Sequence, residues 1–71
     1  MQNQINIICH LAEILEDHGL SQQDLASMTG VTQPQVSNLC LNKKLPLLYT
    51  AYVISDALSV PVQAIWEEVK Q

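Results

Sequence analysis

Two helix-start signals eleven residues apart constrain this chain more than any other feature. In Ser21-Gln22-Gln23-Asp24 the serine hydroxyl is placed to accept a first-turn backbone N–H. Asp at the third helical position makes this a close relative of the capping box. In Thr32-Gln33-Pro34-Gln35 the threonine is placed to accept from Gln35 N–H, and Pro34 falls in the first turn, where a missing N–H costs nothing. Gly30 stands between the two as a turn residue. The first helix runs from Ser21 to about Met28 and buries Leu25 and Ala26. The second runs from about Gln33 to Cys40, with Val36 and Leu39 facing inward at i, i+3.

The flanking segments read as helices too. Ile5, Ile8, Leu11 or Ala12, and Leu15 recur at three- and four-residue steps, predicting a first helix that Gly19 ends. Its other face carries Glu13, Glu16 and Asp17. After the recurring caps, Asn42 suits a left-handed turn and Pro46 suits the opening of a fourth helix. The inner side of that helix is expected to be Leu48, Ala51, Tyr52, Ser55 and Leu58. Ser59 before Val60-Pro61 signals a fifth helix burying Val62, Ile65, Trp66 and Val69. No β-alternation is long enough to make a sheet, and no repeat or low-complexity run is present. The expected fold class is all-α, a compact five-helix bundle forming one domain over residues 1–71, with a helix–turn–helix at about 21–40.

Composition fits that reading. Seventy-one residues make one domain at most, and a 48% apolar fraction with 14% charged residues is globular rather than disordered. Cys9 and Cys40 form no disulfide framework and read as reduced intracellular thiols. The start MQNQINII lacks the basic region and cleavage site of a signal peptide, and no apolar run is long enough to span a bilayer. The expected setting is therefore cytoplasmic. No nucleophile–base pairing or glycine-rich phosphate loop is present, so an enzyme is not expected. His10 and His18 have no Cys or carboxylate at metal-ligand spacing, so neither a metal nor a cofactor is expected.

The net charge of −4 argues against a general nucleic-acid binder, yet the charges are unevenly placed. Glu13, Glu16, Asp17 and Asp24 precede the segment from Leu25 to Ser55, and Asp56, Glu67 and Glu68 follow it. Within that segment the only charges are Lys43 and Lys44.

The run LAEILEDHGLSQQDLASMTGVTQPQVSNL resembles the helix-turn-helix domain of the Cro/C1-type (Xre) transcription regulators, including lambdoid phage repressors and Cro. The resemblance continues through NKKLPLLYTAYVISDALSVPVQAIW. It rests on Gly19-Leu20-Ser21-Gln22, Leu25-Ala26, Gly30-Val31-Thr32, Val36-Ser37, Pro46, Ala57-Leu58-Ser59-Val60 and Ile65-Trp66, in that order. It implies a recognition helix from Thr32 to about Leu39 lying in the major groove of double-stranded DNA. Gln33, Gln35 and Asn38 are then the residues that touch base edges, and a side-chain amide can pair bidentately with adenine N6 and N7. Gln22 matches a position that contacts phosphate and braces the recognition helix. Thr32, Ser37, Lys43 and Lys44 are the further phosphate contacts that the resemblance implies. Outside that resemblance, Gln33 and Gln35 read as polar surface and the two lysines as solvated charges.

The sequence departs from the family pattern in three places. The recognition helix carries no Arg or Lys, and Cys40-Leu41-Asn42 stands where Glu-Asn-Gly is common. Leu45, Leu47, Tyr49 and Val53 occupy positions where a polar surface is expected. Such an apolar strip marks a protein contact. With Trp66, which reads as core or interface, it suggests a homodimer around helices 4 and 5. A two-fold pair sets two recognition helices one DNA turn apart, about 34 Å, on a near-palindromic operator. The expected function is a bacterial or phage-encoded transcriptional regulator, a repressor, associated with the nucleoid when bound. The alternative is a protein-binding module of the same fold, an antirepressor or antitoxin acting on a regulatory partner through acidic and apolar surfaces.

Overall fold

The computed structural model describes residues 5–70, so residues 1–4 and 71 of the expected domain lie outside the described residues. The element order is β1 (Ile5–Cys9), α1 (Leu11–Asp17), α2 (Gln22–Thr29), α3 (Gln33–Cys40), α4 (Leu48–Leu58), α5 (Val62–Ile65) and β2 (Trp66–Lys70). The five expected helices are present, but the all-α expectation is corrected by a two-stranded antiparallel sheet in which β1 pairs with β2. The register runs from Ile5 opposite Lys70 to Cys9 opposite Trp66.

This sheet rewrites both ends of the helical prediction. The stripe counted from Ile5 placed Ile5 and Ile8 on the first helix, yet α1 begins only at Leu11. The segment Ile5-Asn6-Ile7-Ile8-Cys9 is rich in β-branched residues, which suit a pleated surface better than a helix. Ile7 and Cys9, two residues apart, pack against the core, a period that belongs to a strand. At the other end α5 is a single turn, and Trp66 and Val69 lie on β2. The junction is held where His10 N–H donates to Ile65 O at 2.7 Å.

The core joins all five helices to β2: Leu11 and Leu15, Leu25 and Ala26, Val36 and Leu39, Ala51, Ile54 and Leu58, Ile65 and Trp66. In α4 the inward residues are Ala51, Ile54 and Leu58, whereas Leu48 and Tyr52, expected inside, are exposed. Pro46 does not open this helix. The N-cap of α4 is Leu47, and the helix begins at Leu48. The apolar character of α4 on nearly every side gives periodicity little to discriminate. Ser59 closes α4 in the left-handed conformation, φ 56°, rather than starting α5, whose N-cap is Pro61.

Candidate nucleic-acid interface

Local capping fixes α2 and α3 as the sequence predicts. Ser21 Oγ accepts from Asp24 N–H at 3.0 Å, while Ser21 N–H donates to Asp24 Oδ2 at 2.9 Å. Gly30 closes α2 at φ 79°, a conformation that disfavours any residue with a Cβ, and its N–H donates to Ala26 O at 2.9 Å. Two residues on, Thr32 caps α3: its hydroxyl accepts from Gln35 N–H at 3.4 Å, and Thr32 N–H donates to Gln35 Oε1 at 3.2 Å. Pro34 lies in the first turn of α3. Leu25, Ala26, Val36 and Leu39 lock the two helices together on their inner sides.

Apart from exposed Met28, their outer sides are polar. Gln33 and Gln35 are exposed at the start of α3, and Ser37 and Asn38 are half-buried one turn later. Half-buried Gln22, at the start of α2, accepts from Gln33 Nε2 through its Oε1 at 3.2 Å. This side-chain bond ties the first turn of α2 to the first turn of α3. The two helix starts differ in charge: Asp24 sits in the first turn of α2, whereas the first turn of α3 carries no acid. With Pro34 lacking an N–H and the Gln35 N–H held by Thr32, the Gln33 N–H is the one left open in the first turn of α3, and no carboxylate there competes for an anion.

Beyond α3 the chain turns through Asn42, in the left-handed conformation at φ 61°, and presents Lys43 and Lys44 to solvent. A hollow of about 280 Å³ between α3 and the approach to α4 is lined by Gln35, Asn38, Lys44, Leu45, Pro46 and Leu47. The fold thus gathers two expected base-reading amides, one expected phosphate-binding cation and two residues of the apolar strip around one concavity.

The rest of that strip is partly rearranged. Leu45, Leu47 and Tyr49 are exposed, the last two at 78%, while Val53 is only half-buried surface. Trp66 resolves to the core, at 7% exposure, and offers no indole face to a partner in this fold. Leu41, Leu48 and Tyr52, which sequence reasoning did not expect at the surface, are exposed as well. The signal that finds the α4 pair is the i, i+3, i+7 spacing of Ala51, Ile54 and Leu58.

The two histidines have different partners. His10 meets two carboxylates, Glu13 at 2.9 Å through Nδ1 and Glu67 at 2.8 Å through Nε2. The hydrogen bonds to Glu13 and then Glu67 push its pKa above the usual 6.5. His18 instead bonds the carbonyls of Ile14 and Leu58. Burial raises the pKa of both Cys9 and Cys40, which are unpaired thiols. Among the described residues no group of three or more His, Cys, Asp or Glu is arranged to hold a metal ion.

A helical pair crossing at a glycine turn, with a capped second helix presenting amides outward, defines the helix-turn-helix class of DNA-binding proteins. Comparison with known families agrees: a helix-turn-helix family model matches residues 11–65, most of the chain. The chain belongs to this Cro/C1-type, Xre-like helix-turn-helix family, a family of DNA-binding regulators. A comparison with curated proteins returned no match. The matched segment begins at the first residue of α1 and ends at the last residue of α5, so β1 and β2 lie outside it.

Proposed function

We propose that this chain is a sequence-specific transcriptional repressor that binds a near-palindromic operator as a homodimer in the cytoplasm of a bacterium or of a phage-infected cell. The observation that carries this reading is the first turn of α3, where Gln33 and Gln35 stand exposed and Gln33 is braced by Gln22. In this reading Gln33, Gln35 and Asn38 contact bases. Gln22, Thr32, Ser37, Lys43 and Lys44 contact phosphate. Amides supply discrimination in the major groove without charge, and the lysines add Coulombic attraction to the backbone.

Homodimerisation is supported by the exposed leucines and tyrosines at the approach to α4. Selection of bound sequences from a random duplex library tests the whole reading. An enriched site with two-fold symmetry and half-sites one turn apart is the expected result. Recovery of no enriched sequence at low salt contradicts it.

The same apolar surface favours a second reading, a protein-binding module that engages a regulatory partner. The two readings separate by mutation. Under the repressor reading, Gln33→Ala and Lys44→Ala abolish regulation. Under the module reading those variants retain function and Leu47→Asp or Tyr49→Asp abolishes it.

A further inference from the structure

The residues that fall outside the family match are not idle: β1 reaches the loop that carries Lys43 and Lys44. Asn42 sits at the hinge of that loop. Its backbone N–H donates to Leu39 O at 3.1 Å, and the next N–H, of Lys43, donates to Asn38 O at 3.0 Å, tying the loop to the end of α3. The side chain of Asn42 turns the other way and donates through Nδ2 to Ile7 O of β1 at 3.4 Å. The loop and strand face one another across a shallow hollow walled by Asn6, Ile7, Asn42, Lys43, Lys44 and Leu45. The strand is itself fixed, by its pairing with β2 and by the His10 N–H bond to Ile65 O.

We propose that Asn42 is a positioning residue for DNA binding, which anchors the Lys43-Lys44 loop to the terminal β-ribbon so that both cations are held at the phosphate backbone. The inference rests on the DNA-binding reading above. Two features of asparagine suit the position together. Asn tolerates the left-handed conformation seen at φ 61°, and its amide supplies a donor to the Ile7 carbonyl of β1. Glycine satisfies the first requirement without the second. Aspartate keeps the left-handed tendency and the size but has no N–H to give.

The test compares wild type, Asn42→Gly and Asn42→Asp, each verified as folded by circular dichroism. Binding to the duplexes enriched by selection from a random 24-bp library is measured across a salt series, and amide hydrogen exchange at Lys43 and Lys44 is followed in the free proteins. The Gly variant decides the binding arm because it adds no charge. Its affinity is expected to fall about three- to tenfold, the range that a net hydrogen bond conveys. The salt slope is expected to become shallower by about 0.9, one phosphate contact. The Asp variant decides the exchange arm because it keeps the left-handed preference, and Lys43 is expected to exchange faster in it than in wild type. A Gly variant with wild-type affinity and slope, or an Asp variant with wild-type exchange, overturns the proposal. If wild type binds no duplex at low salt, the DNA-binding reading fails and the positioning role fails with it. A wild type that binds while the Gly variant matches it sinks the Asn42 anchor alone.

Discussion

Gln35 carries two demands in one side chain. Its Oε1 accepts from Thr32 N–H, the reciprocal half of the α3 capping box, whereas bidentate pairing with adenine needs Oε1 and Nε2 at once. Gln33 spends only one amide hydrogen, on Gln22, and keeps its Oε1 and second hydrogen outward. The two glutamines should therefore separate in a paired measurement of melting and binding. Gln33→Ala is expected to lose about 1–3 kcal/mol of base discrimination. Its stability should change by no more than about 0.5 kcal/mol, as for an ordinary surface substitution. Gln35→Ala is expected to lower stability by about 1 kcal/mol as well, because it removes the acceptor for Thr32 N–H. A melting temperature unchanged in Gln35→Ala would remove the capping role. Both caps and the glycine turn were legible in the sequence, since each depends on residues within three positions of one another. The bond between Gln22 and Gln33 was not read from spacing; the family resemblance implied only that Gln22 braces the recognition helix.

At the scale of elements, locality again decides what could be read. α2 and α3 were predicted within a residue or two because their starts and stops are chemical signals in the chain itself. β1 and β2 were missed because neither has a structure until it meets the other, some sixty residues away, and three-residue spacing among isoleucines resembles a helix stripe. Where the ribbon joins α1, His10 bridges Glu13 of the helix and Glu67 of β2. The folded pKa of His10 is raised above 6.5, so the protonated bridge favours the folded state below about pH 6.5 and is lost as pH rises through the folded value. The melting temperature of wild type is expected to fall between about pH 6 and pH 9, relative to His10→Gln, which has no imidazole to titrate. Parallel melting curves for the two proteins would contradict the bridge.

On the scale of the whole molecule, the seven acids and three lysines leave a net charge of −4, while the segment from Leu25 to Ser55 is free of acids. Few cations can reach phosphate, so the salt slope of a DNA-bound dimer is expected to be shallow, about −0.9 for each phosphate neutralised. Affinity then depends on doubling the contacts through a second copy. The exposed surface of Leu45, Leu47, Leu48, Tyr49 and Tyr52 is suited to that role. Light scattering at tens of micromolar is expected to show a dimer, and Leu47→Asp to shift it to monomer with parallel loss of DNA binding. A wild-type protein that stays monomeric even with its selected operator would refute the two-fold arrangement.

The sequence by itself determined the helix-turn-helix: two caps, a glycine turn and the residues packed between them are short-range chemistry, written within a few positions of one another. Tertiary structure alone decided the ribbon, the buried face of α4 and the two carboxylates around His10. It also decided that Asn42 faces Ile7. The physical reason is range. A capping bond needs only the neighbouring turn, but a strand pair, a core face or a bond from loop to strand exists only once the chain ends have been brought together, and no local period records that meeting.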